Sequence, residues 1–151
     1  MLHASNRFDE AEVAYRKVLE LAPKRMVTHG HLSLTLLAQA RGDEALQEAT
    51  EEPNDLFRLW AQAIVHRALG HVAESNAAHR ELIDEYSDVG AYQIAEVCAA
   101  RGEADAAFEW LEHAWAQKDP GLTEILCGPL FRPLHGDPRW AAWVKRVGFA
   151  T

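Results

Sequence analysis

The sequence predicts an all-α protein, an α-α superhelix of stacked helical hairpins. Three observations predict it: a helix-favouring composition, an apolar pattern that recurs at fixed offsets, and glycines spaced about one hairpin apart. Hydrophobic residues make up 48% of the 151 residues, and Ala, Leu and Glu are abundant while β-branched residues are sparse, a mixture that favours helix over strand. Gly70 and Gly102 stand 32 positions apart, each where one helix must stop and the next begin.

The elements follow in order. From Asn6 the chain runs through Phe8, Ala11, Tyr15, Val18 and Leu19 to Pro23, which places Ala11, Tyr15, Val18 and Leu19 on one face of an amphipathic helix that ends at the proline. Leu32, Ser33, Leu36 and Leu37 make the next helix, ahead of Gly42. The helix after Gly42 is expected to be short, and the superhelix locally irregular there, because Gly42 precedes Ala45 by only three residues and Pro53 comes early. Leu59, Ala63 and His66 precede Gly70, which is followed by Ser75, His79, Leu82 and Ile83. Ile94, Ala95 and Cys98 precede Gly102, which is followed at the same offsets by Ala107, Leu111, Ala114 and Trp115, and then by Pro120. A large residue beside a small one in each first helix lets two helices approach closely.

This arrangement resembles the tetratricopeptide family, with small residues at Ser33, Ala63 and Ala95, further small residues at Ala11 and Ala107, and a proline after the second helix at Pro23. The resemblance covers residues 1–120 and implies a repeat domain there, its first repeat truncated. Residues 121–151 then form a connector and a C-terminal capping helix. The connector holds Pro129 and Pro133 among Leu126, Leu130, Phe131 and Leu134, a packed, irregular composition. Asp137-Pro138 reads as an N-cap and first helical position, Trp140, Trp143, Val144 and Val147 as an apolar stripe, and Gly148 as the stop. The pieces Asp119-Pro120-Gly121-Leu122, Pro129-Leu130-Phe131, Asp137-Pro138-Arg139-Trp140 and Val147-Gly148-Phe149 look like the C-terminal end of bacterial regulatory proteins that carry repeats behind a DNA-binding or nucleotide-cyclase module.

The net charge of -8 disfavours nucleic acid and anionic membranes as partners. With no apolar run long enough to span a bilayer and no leader-like start, the chain reads as cytoplasmic. It is read as starting inside a repeat. Its first helix would then leave Phe8, Tyr15 and Val18 uncovered, and self-association into a homodimer is the physical expectation.

Catalytic signatures are not found: there is no GxSxG, phosphate loop or HExxH. No cofactor and no metal is expected. His29 and His31, two apart, face different ways on a helix. Cys98 and Cys127 read as buried small hydrophobes. The acidic stretches, Glu48 with Glu51-Glu52 among them, read as solvated faces.

Function is expected in the groove lined by the first helix of each hairpin. Helical phase places Leu34 on it from one unit, Phe57, Trp60, Ile64 and Arg67 from the next, and Tyr92 and Glu96 from the last. Trp60 and Tyr92 are the expected anchors, with Arg67 able to pair a ligand carboxylate. The expected function is a scaffold that binds a peptide or partner helix. The alternative is a regulatory or oligomerisation segment of a larger bacterial transcription regulator or cyclase.

Overall fold

A computed structural model describes residues 4–125 and 129–148. Its described residues form an all-α helical-repeat fold of α1 (Ala4–Leu21), α2 (Thr28–Ala38), α3 (Gly42–Glu51), α4 (Asp55–Ala68), α5 (Val72–Tyr86), α6 (Ala91–Ala100), α7 (Ala104–Ala116) and α8 (Pro138–Arg146), with 3-10 turns at Pro120–Glu124 and Pro129–Leu134. None of these helices is long and apolar enough to cross a membrane. The chain divides into two compact units, 1–80 and 81–151, the division falling within α5.

Four of the helices, α2, α4, α6 and α7, end in the same way. The backbone turns left-handed at Ala40, Gly70, Gly102 and Lys118, with φ of 61°, 82°, 78° and 55°. The next residue then donates its N–H to the carbonyl five positions back: Arg41 to Leu36, His71 to His66, Glu103 to Cys98 and Asp119 to Ala114, at 2.8–2.9 Å. These Schellman caps satisfy carbonyls that the helix itself leaves without donors.

Ala40, not Gly42, is therefore the turn residue of the first hairpin. Counted from the left-handed residue, Ala45, Ser75 and Ala107 all come five positions later, and all three are fully buried. Gly42 has a different use: a Cβ there would collide with the Leu69 side chain, so it permits close approach. The expected shortness of α3 is present, because Pro53 forces Glu52 into an extended conformation.

In the first unit Leu32, Leu36, Ala45 and Val65 form the core, against which Tyr15, Leu19, Leu34, Leu37, Leu46 and Leu69 pack. The small-residue pairing of the repeat is visible where the Ser75 hydroxyl donates to the Ala63 carbonyl at 2.8 Å. In the second unit α6 packs on α7, and the 3-10 turns pack on α6 with Leu122, Ile125, Phe131 and Leu134 buried. The expected packed connector is therefore present among its described residues. Leu126, Cys127 and Phe149 lie outside them.

The final helix begins as the sequence predicts, with the Asp137 carboxylate accepting the Arg139 N–H at 2.9 Å and Pro138 in the first turn. Arg139 lies over the Phe108 ring and pairs with Asp105 at 2.6 Å, and Arg146 pairs with Glu112, so two guanidinium groups tie α8 to α7.

Candidate partner-binding surface

Four aromatic rings from three helices form a ladder in the first unit. Tyr15 of α1 stacks on His31 of α2 at 5.9 Å, His31 meets Trp60 of α4 edge-on at 5.6 Å, and Trp60 meets Phe57 edge-on at 6.0 Å. Spacings of this kind suit the ring quadrupole and add to the burial of the rings. Trp60 is only 3% exposed, whereas His31 is exposed and Tyr15 and Phe57 are half-buried. Trp60 is thus sealed while the rings on either side of it, His31 and Phe57, reach solvent.

The residues assigned to the groove are distributed unevenly. Phe57, Trp60, Ile64 and Arg67 share one face of α4 at steps of three and four. Of these, Trp60 and Ile64 are buried, Phe57 is half-buried and Arg67 is exposed. Leu34 packs against the core instead of standing open. In the second unit Tyr92 is 4% exposed and Glu96 7%, because the connector covers this part of α6. Phe131 meets the Tyr92 ring edge-on at 5.4 Å, and the backbone of Gly121 lies so close that a Cβ would come within 2.6 Å of the ring. Trp60 and Tyr92, the expected anchors, are thus both interior rings.

The three residues expected to mediate self-association are each half-buried. Tyr15 turns to His31, and α1 packs on α2. Among the described residues, the large apolar side chains exposed in this region are Val13, Leu21 and Met26.

Buried carboxylates hold the framework beneath the surface. Glu52, 1% exposed, accepts N–H bonds from Val27, Gly30 and Asn54 at 3.0–3.1 Å, and so caps the start of α2. Asp119 occupies the same place in the α6–α7 hairpin, accepting from Gly121 at 2.8 Å and from Tyr92, at the start of α6, at 3.2 Å. The reading of Glu51-Glu52 as a solvated face therefore fails for Glu52: Pro53 ends α3 there and turns its carboxylate inward. Glu48 stays at the half-buried surface, 2.6 Å from His29 Nδ1.

Sequence reasoning separated Tyr15 and His31 from Phe57 and Trp60, whereas the structure joins them. The available signal was the aromatic at Tyr15, a position that faces the next helix when α1 is read as the second helix of a hairpin. Cys98 is buried as expected.

Fold and surface together define a class, an all-α helical-repeat protein whose first unit carries an aromatic ladder. No family model matches the chain, and neither the curated proteins nor the solved structures contain a significant match to it.

Proposed function

We propose that the chain is a protein-interaction module, a cytoplasmic scaffold of tetratricopeptide type that receives an apolar side chain of a peptide or partner helix. The observation that carries this reading is the ladder Tyr15–His31–Trp60–Phe57, an aromatic strip in which Trp60 is sealed and the rings beside it are accessible. Rigid aromatic rings lose little entropy on binding, which is why they dominate interface energetics. Arg67, exposed on the same face of α4 as Phe57, supplies a guanidinium for an acidic group beside the apolar one.

Selection of a displayed peptide library on the full chain tests this. Enriched peptides should lose at least about tenfold in affinity for Phe57→Ala and His31→Ala, since hot-spot truncations cost more than about 1.4 kcal/mol. Peptides that bind both variants as well as the parent would remove the ladder as the binding surface.

The second reading is a regulatory or oligomerisation segment of a larger bacterial transcription regulator or cyclase. It is favoured by Val13 and Leu21, 70% and 78% exposed on α1. Light scattering over a concentration range tests it: a dimer that Val13→Glu with Leu21→Glu dissociates supports this reading, and a monomer throughout rejects self-association.

A further inference from the structure

The cap between α4 and α5 holds two histidines in a fixed relation. A Schellman cap brings together the side chains of the third-last helical residue and the second residue beyond the helix cap, a contact usually made by apolar groups. Here those residues are His66 and His71, pinned by the His71 N–H to His66 carbonyl bond of 2.8 Å. Their Nδ1 atoms lie 3.1 Å apart, with ring centroids at 5.3 Å and ring planes tilted by 48°.

A zinc-sized ion bound about 2.0–2.1 Å from two imidazole nitrogens, at an angle of about 90–110°, requires about 2.9–3.4 Å between them. The observed separation falls inside that window. His66 lies in the last turn of α4, the negative end of that helix. His71 is exposed and His66 half-buried, so an ion can enter and keep water in its remaining positions.

From this geometry we infer that His66 and His71 form a two-nitrogen chelate for one divalent transition-metal ion, Zn2+ being the reference case, at the α4–α5 turn. Two other clusters among the described residues are less suited: the Arg16 guanidinium lies 4.0 Å from a Glu48 oxygen in the group of His29, Glu48 and Glu51, and in the group of His79, Cys98 and Glu103 burial pushes the thiol up to about 12, away from the thiolate a metal needs.

The test is calorimetric titration of the full chain with Zn2+, paired with imidazole nitrogen NMR. One ion per chain is expected, with the Nδ1 resonances of His66 and His71 shifting together. His66→Ala and His71→Ala should each weaken binding by at least about tenfold, no less than the loss of an outer-shell partner costs a metal site. Glu48→Gln should leave binding unchanged, and circular dichroism should show all three variants as helical as the parent. His71 is exposed, so His71→Ala keeps the test alive if His66→Ala fails to fold. Unchanged affinity in the histidine variants, Zn2+ shifts confined to other residues, or binding lost in Glu48→Gln and kept in His71→Ala would each overturn the inference.

Discussion

Glu52 accepts a hydrogen bond from the backbone of Val27, 25 residues earlier, at 3.1 Å, and Val27 is a β-branched residue held at a φ of 77°. A left-handed conformation is costly for such a side chain. The carboxylate also holds Gly30 and Asn54, so it is the common acceptor for the start of α2 and the approach to α4.

Removing that acceptor should be among the most damaging single changes in the first unit. Glu52→Ala leaves one buried and two part-buried donors without this acceptor and is expected to cost about 2–4 kcal/mol in urea unfolding. Glu52→Gln keeps an oxygen for some of the donors but turns an amide N–H2 towards the rest, and should cost about 1–3 kcal/mol.

The left-handed turn residues give a reciprocal pair. Ala40→Gly should raise stability by about 0.5–1 kcal/mol, because glycine adopts the required φ without the Cβ penalty. Gly70→Ala should lower it by about 1 kcal/mol through the backbone alone, since a Cβ there would meet nothing within 4 Å. Melting temperatures that moved together in one direction would contradict this account of the caps.

Contact between Gly121 and Tyr92 should make the connector intolerant of the smallest side chain. Gly121→Ala places a methyl group within 2.6 Å of the ring, so ring or connector must move, at about 1–3 kcal/mol of overpacking. Tyrosine fluorescence or the ring NMR signals of Tyr92 should report the displacement, while the first unit keeps its spectrum.

Burial pushes the Cys98 thiol up to about 12, with the nearby Glu103 charge adding to the effect. Native protein treated with iodoacetamide at pH 8 should stay unmodified at Cys98 by mass spectrometry, while unfolded protein reacts there. The folded state favours the neutral thiol. This contribution to stability is therefore present below the ordinary value near 9 and is lost as pH rises through about 12.

Much of the fold was legible because the repeat writes its offsets in small residues and glycines. Gly70 and Gly102 marked their turns, and Asp137-Pro138 marked the start of α8. The first hairpin misled because Ala40 adopts a conformation that composition assigns to glycine, while Gly42 stands two residues away for packing reasons. The surface was less legible. Helical phase says which way Trp60 and Tyr92 point but not what covers them, and the cover of Tyr92 comes from a connector with no periodicity. Glu52 was hidden by its neighbour Glu51, which is exposed as two acidic residues in a row usually are.

Placement of the α2 cap so far downstream also bears on the order in which the chain can acquire structure during synthesis. When residues 28–38 leave the ribosome, the carboxylate that holds their first turn has not yet emerged, and Val27 offers no side-chain cap of its own. Lasting structure in α2 must wait until Glu52 has emerged and folded back, so the nascent chain gains this hairpin in one step, as a closed loop, and not helix by helix.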